Sequence, residues 1–197
     1  MSELGTHMLC ICSNVSEDAI GDTDQIAADL AELADLAAQG GFSIGYEAMA
    51  WGRHTRDWMQ AVDLIERANR PNLGVVLDSF HIFARKNPIE PLAKIKPEQI
   101  ALVQINDAPG LLMDPISLSR HHRCFPGQGD WPVTDFLDYV LATGFNGALS
   151  LEIFNDQFRG APAASIARDG MRSLMNCAEE LNARRAMRNE SALALTH

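Results

Sequence analysis

Residues 73–81 read LGVVLDSFH. The run from Leu73 to Leu77 is apolar on both of its faces and stops on an acid, Asp78. Such a run is a fully buried strand of the kind found in parallel sheets, where helices cover the faces. The same pattern recurs on either side. Upstream lie Met8–Cys12 and Phe42–Ala48; downstream lie Ile100–Ile105 (IALVQI) and Ala148–Ile153 (ALSLEI). Between these strands the period changes to helical. The capping cluster Asp22-Thr23-Asp24 precedes Ile26, Leu30, Leu33 and Ala37 at helical spacing, and Gly40-Gly41 closes that helix. Asp57–Ala68 carries Trp58, Ala61, Ile65 and Ala68 on one stripe and stops before Pro71. A helical stretch broken by Pro88 and Pro91 follows the third strand. Pro132–Thr143 ends at Gly144, and a last helix runs from Ala163 to about Arg185 with Ile166, Leu174, Cys177 and Leu181 buried. Strands alternating with helices predict an α/β fold with a parallel sheet, either a five-stranded doubly wound sheet or part of a (β/α)8 barrel. No G-x-G-x-x-G follows a strand and no phosphate-binding P-loop is present.

The chain has 197 residues, which predicts one domain, read as residues 1–186 with a polar, frayed tail over 187–197. Hydrophobic residues make up 47%, enough for a core. A net charge of −10 argues against nucleic acid as a partner, because phosphates repel an acidic surface. No run of about 18 apolar residues marks a membrane span. No export signal is visible at Met1–Gly5, so a cytoplasmic chain with reduced thiols is expected. Cys10 and Cys12 point to one face of the first strand and read as small core residues; Cys124 and Cys177 complete a set too scattered for a disulfide scaffold.

The strand ends carry the chemistry. Glu47 closes IGYE, Asp78 closes VVLD, Gln104 lies in LVQI and Glu152 in LSLE. Ligands of parallel α/β folds bind at the carboxyl ends of the strands. Four successive strands therefore gather three carboxylates and one amide oxygen, a donor set suited to a hard divalent cation, Mg²⁺ or Mn²⁺, with Co²⁺ also admitted. Taken singly, each of these residues has an ordinary structural alternative: Asp78 can cap the turn at Ser79-Phe80, and Gln104 can satisfy backbone groups. Together they would be costly to bury without a counter-charge. His81, three residues after Asp78, is the candidate base, since imidazole titrates near neutral pH. The Asn106–Asp130 connection exceeds the usual βα length. It carries Ser119, Arg120, His121, His122 and Arg123, a cationic cluster in an acidic chain. Arg is suited to bidentate recognition of carboxylates. Trp51, Arg53 and His54 follow Glu47 and are expected at the rim, with ordinary helix-barrel packing an equal alternative for Trp51.

The motifs IGYEAMAWGRH, LDSFH, VQINDAP, SRHHRCFPGQGDWP and LSLEIFNDQFR together resemble the 3-dehydroshikimate dehydratases of the xylose-isomerase-like barrel superfamily. The resemblance runs from about Leu4 to Leu181. It implies a barrel, a divalent cation on Glu47, Asp78, Gln104 and Glu152, and dehydration of 3-dehydroshikimate to protocatechuate with His81 as base. It also implies a small carboxylate substrate, with Ser119, Arg123, His121 and Arg53 as substrate-binding residues. Gln104 stands where many sugar epimerases have His, which places the chain on the dehydratase side of the superfamily; a sugar isomerase or epimerase is the weaker alternative. In bacteria this domain is often fused to a 4-hydroxyphenylpyruvate-dioxygenase-like half. A closed barrel takes eight βα units and roughly 250 residues. The chain offers five such units, matching the last five of the family, so the resemblance implies that the first three are missing. The competing expectation is an inactive barrel piece, or one that works only with a complementing chain or as a homo-oligomer. Its open sheet predicts apolar edges at Met8–Cys12 and Ala148–Ile153 and an exposed apolar inner face.

Overall fold

The structure, a computed structural model, describes residues 1–194. Five strands are present: β1 (Met8–Cys12), β2 (Ser43–Glu47), β3 (Leu73–Asp78), β4 (Ile100–Ile105) and β5 (Leu149–Leu151). All pairings are parallel and the order is β1-β2-β3-β4-β5. A doubly wound sheet reverses its strand order at a switch point; this one never does, which decides for consecutive staves of a barrel.

The helices between the strands are α1 (Thr23–Gln39), α2 (Trp58–Ala68), α3 (Ser79–Ala84), α4 (Pro115–His121), α5 (Val133–Ala142), α6 (Asp156–Arg159) and α7 (Ala163–Ala194). Asp22 caps α1, its side chain accepting the Gln25 N–H at 2.9 Å, and Gly41 leaves that helix at φ 72°. α2 opens on an Asp57–Gln60 capping box and closes on Asn69 in the left-handed region, two residues before Pro71. Pro88 and Pro91 reduce the next stretch to 3₁₀ turns at Glu90–Lys94 and Pro97–Gln99. The main core fills the space between the outer sheet face and the helices. Ile44, Tyr46, Val75, Leu77, Val103 and Ile105 meet Leu30, Leu64, Phe136, Val140 and Leu181 there.

Four expectations are corrected. β5 is shorter than Ala148–Ile153, because an edge strand has a neighbour on one side only and just Leu149–Leu151 pair with β4. The last helix passes Arg185 and runs to Ala194; residues 195–197 of the expected tail lie outside the described residues. Cys10 and Cys12 are exposed, since β1 is the other edge strand. The inner face is less apolar than expected: Met8, Val76 and Leu102 lie among the small residues Cys10, Cys12, Ser43, Gly45, Gly74 and Ser150 and the polar Glu47, Asp78 and Gln104. The exposed strand leucines, Leu9 and Leu149, sit on the two edge strands, 42% and 38% accessible. Among the described residues no helix is long and apolar enough to cross a membrane.

Candidate metal centre

Strand register brings the four expected oxygen ligands to one face. Glu47 pairs with Val76, two residues from Asp78; Asp78 pairs with Gln104; Gln104 pairs with Ser150, two residues from Glu152. Side chains two apart on a strand point the same way. Glu152 follows β5 and extends the ladder, its N–H donating to Ile105 O at 3.3 Å. All four side chains thus belong to the carboxyl end of the inner sheet face.

Asp78 is the centre of the cluster. Its Oδ1 accepts the Phe80 N–H and the Asn106 Nδ2–H, each at 2.7 Å, so it caps α3 while it serves the site. Its Oδ2 accepts from Arg123 Nη1 at 2.8 Å. The same nitrogen donates to Glu152 Oε2 at 2.9 Å. Arg123 is only 2% exposed. Ser119 Oγ accepts from its Nε and Nη2 at 3.2 and 2.8 Å, and the rings of Phe80 and Phe154 lie 4.5 and 5.3 Å from the guanidinium carbon. Of five N–H groups, a single one on Nη2 is left for a further acceptor. The bidentate grip on a substrate carboxylate expected of Arg123 is therefore not what this geometry offers. Buried acids have taken that fork, as opposite charges in a low dielectric require.

His81 is buried, and its Nδ1 accepts the Ala50 N–H at 3.0 Å. Nε2 faces Glu47 Oε1 at 3.4 Å and Asp78 Oδ2 at 3.6 Å. Burial pushes the imidazole down to about 4, the Asp78 charge pulling it back and Arg123 pushing it lower. The ring is thus neutral near pH 7, and because Nδ1 accepts, the proton sits on Nε2. This refines the role read from the sequence. A base at Nε2 needs the other tautomer, which the Ala50 bond opposes.

Burial, with the charges of Asp78 and Glu152, drives Glu47 up to about 8. Burial and Asp78 likewise raise Glu152 to about 6, Arg123 opposing. Burial also works against charge on Asp78, yet Arg123, His81, Asn106 and Phe80 hold its carboxyl below the usual range. Cys12 donates to Glu47 Oε2 at 3.5 Å; partial desolvation of its sulfur against the strand end, with the Glu47 charge and this bond, pushes the thiol up to about 12.

The donors present fit a divalent cation. Glu47 Oε1 and Gln104 Oε1 are both buried and have no hydrogen-bond partner. Two orphaned acceptors in a cluster of three carboxylates and one amide are what a cation would satisfy. Glu47, Asp78 and His81 also bring one candidate ligand atom each within 4.8 Å of one another, His81 becoming a donor only once its Nε2 proton is lost.

Other expected residues lie elsewhere. His121, at the end of α4, is exposed and pairs with Asp156 Oδ2 at 2.9 Å. Arg53 is exposed in the turn after β2, its N–H donating to Asn14 O at 2.7 Å. Neither joins the cluster. The expected Asp78 cap at Ser79-Phe80 is present; the sequence reading missed Asn106 as a partner of the site and Ser79 as the partner of Asn106. Ser79 Oγ donates to Asn106 O at 2.7 Å and accepts the Asn106 N–H at 2.9 Å. The polar Asn-Asp pair directly after an apolar strand was the available signal.

The family described as xylose isomerase-like TIM barrel matches residues 1–177. The chain belongs to that family. It is 49% identical over 180 residues to a Pseudomonas aeruginosa protein named 3-dehydroshikimate dehydratase, covering 91% of this chain and 28% of that one. A solved structure described as a xylose isomerase-like TIM barrel/4-hydroxyphenylpyruvate dioxygenase fusion protein superposes with a TM-score of 0.92. It is 47% identical, covering 96% of this chain and 30% of that one. A structure of the IOLI protein with a bound zinc atom gives a TM-score of 0.81 at 25% identity, over 90% of this chain and 65% of that one. The family member described here thus spans under a third of the length of the first two proteins.

Proposed function

We propose that residues 1–186 form the ligand-bearing part of a barrel that binds a divalent cation, Mg²⁺ or Mn²⁺, through Glu47, Asp78, Gln104 and Glu152. We further propose that the barrel dehydrates 3-dehydroshikimate to protocatechuate. The observation that carries this reading is the buried, unpartnered Gln104 oxygen beside three acids. The dehydratase relative supports the substrate, and the zinc-bound neighbour supports a divalent ion.

A cation in this site supplies a Lewis acid that polarises a ketone and stabilises negative charge on its oxygen. The chain's own residues do the rest. Arg123 fixes Asp78 and Glu152 and offers one N–H to an anionic or hydroxyl oxygen. His81 is the proton carrier: it takes the proton beside the ketone at Nε2 once its proton has moved to Nδ1 and the Ala50 bond has opened. Ser119 acts through Arg123. Arg53 and His121 stay in this reading as outer contacts for a small carboxylate. The proton held by His81 then passes to the β-hydroxyl, which leaves as water; a remaining ring-carbon proton is lost to solvent as the ketone oxygen takes one up, and the ring becomes aromatic.

The experiment is an ultraviolet assay for protocatechuate with 3-dehydroshikimate and Mn²⁺, on a longer protein carrying this segment. Appearance of the product, abolished by Glu152→Gln, supports the reading. Turnover of a ketose with none of 3-dehydroshikimate overturns it in favour of an isomerase.

A further inference from the structure

Directly after β4, two adjacent buried residues serve different partners. Asn106 reaches the cluster, its Nδ2–H donating to Asp78 Oδ1 at 2.7 Å. Asp107 is 1% exposed and, among the described residues, forms no salt bridge. Its carboxylate instead collects four backbone N–H groups. Oδ1 accepts from Ala108 at 2.8 Å and Trp131 at 3.1 Å; Oδ2 accepts from Gly127 and Gly129, each at 3.0 Å. Its own N–H and C=O pair with Cys124 at 3.0 and 2.8 Å, one residue from Arg123. The enclosure is tight: a Cβ on Gly129 would stand 2.3 Å from Asp107 Oδ1.

We propose that Asp107 is a positioning residue for the centre. It ties the far end of the 106–131 connection, Gly127 to Trp131, back to its start, and so sets Arg123 on Asp78 and Glu152. The amides of Gly127 and Gly129 have no other acceptor among the described residues, so this carboxylate alone holds them; the Asp130 N–H to Ala108 O bond at 3.0 Å and the Gly110 N–H to Asp130 Oδ2 bond at 2.7 Å tie the same two ends beside it. Charged acceptors hold N–H donors about twice as strongly as neutral ones. An asparagine cannot replace it, because its NH₂ would face two amide donors. Asp78 is thereby held from both sides: Asn106 on Oδ1 and, through the loop that Asp107 closes, Arg123 on Oδ2.

The test compares Asp107→Asn with Leu64→Ala, a core truncation in α2 that lowers stability without touching the loop. The first readout is exchange of the Arg123 Nε–H by ¹⁵N NMR, its signal identified by loss in Arg123→Lys. Asp107→Asn should speed that exchange at least tenfold, and Leu64→Ala should leave it unchanged at a similar loss of Tm. Equal exchange in Asp107→Asn and the parent chain overturns the proposal. The second readout, which rests on the metal reading, is titration with Mn²⁺ alone; Asp107→Asn should weaken binding about tenfold or more, the scale of ligand-supporting residues. A parent chain that takes up no Mn²⁺ defeats the metal reading, while the exchange result still decides the role of Asp107. If Asp107→Asn does not fold, Gly127→Ala carries the same expectations. That change strains a residue at φ 82° whose N–H donates to Asp107.

Discussion

The backbone N–H of Ala50 donates to Nδ1 of His81 at 3.0 Å. One bond from the loop after β2 therefore fixes the tautomer of a residue on α3. It presents Nε2–H, rather than a lone pair, to Glu47 and Asp78. Proton abstraction by His81 must pass through the loss of that bond. In a longer protein with dehydratase turnover, His81→Ala should lower kcat by about a hundredfold or more, the scale of a general base. His81→Gln, which can still accept from Ala50, should retain the fold and be equally inactive. Protocatechuate absorbance reads both, and undiminished turnover in either variant removes His81 from the chemistry.

Cation binding should displace the proton held by Glu47. With that carboxyl raised to about 8, apparent Mn²⁺ affinity should climb with pH below 8, by up to about tenfold per unit for one displaced proton, and level off above it. Calorimetric titration across pH 6–9 checks the slope. A flat profile means Glu47 does not ligate the ion. Glu152→Gln should weaken affinity at least tenfold, about 1.4 kcal/mol.

Stability without metal should fall as pH rises from about 6.5 to 8. The sign follows from Glu47. Its folded value, about 8, lies above the unfolded value near 4.3, so the stability it contributes is full below the lower value and disappears as pH rises through the upper one. His81 works the opposite way. Its folded value, about 4, lies below about 6.5, so its contribution is full above the upper value and lost as pH falls through the lower. The two oppose each other up to about 6.5, and Glu47 acts alone beyond it. Thermal melts at pH 6.5, 7.3 and 8 should show a declining Tm that saturating Mn²⁺ abolishes.

Ser119→Ala should cost about 1–3 kcal/mol, because it leaves two N–H groups of a buried guanidinium without their acceptor. Urea melts measure this. A change below about 0.5 kcal/mol would mean that Ser119 faces a ligand more than it supports Arg123.

Self-association should arise at the edge strands. Leu9 on β1 and Leu149 on β5 are exposed, and neither strand has the Lys or Pro that blunts natural edges. Light scattering on the chain alone should show species above the 21.6 kDa monomer, reduced by the paired change Leu9→Lys and Leu149→Lys. A monodisperse parent chain contradicts this.

Much of this was legible in the residues. Apolar runs ending in Glu47, Asp78, Gln104 and Glu152 disclosed the strands and their shared end, because burial and period are local properties of sequence. Periodicity alone left the strand order open, since doubly wound and barrel arrangements use the same βα units; the resemblance to xylose-isomerase-like barrels supplied it. α4 was hidden in a stretch of Pro and Gly, although Asp114-Pro115 is a helix start, the Asp114 carboxylate accepting the Ser117 N–H at 2.9 Å. The commitment of Arg123 to acids rather than to a ligand could not be read, because it depends on which carboxylates the fold brings within 3 Å.

The four oxygen donors come from four strands that neighbour one another in the same order in the sheet and in the chain. A site assembled that way is inherited as a block. Any recombination event that carries residues 47–152 intact transfers all four proposed donors, the arginine that pairs with two of them and the loop that holds the arginine. Chains of very different length can therefore share one centre. Divergence in what they act on is then free to concentrate in whatever closes the remaining side of the barrel.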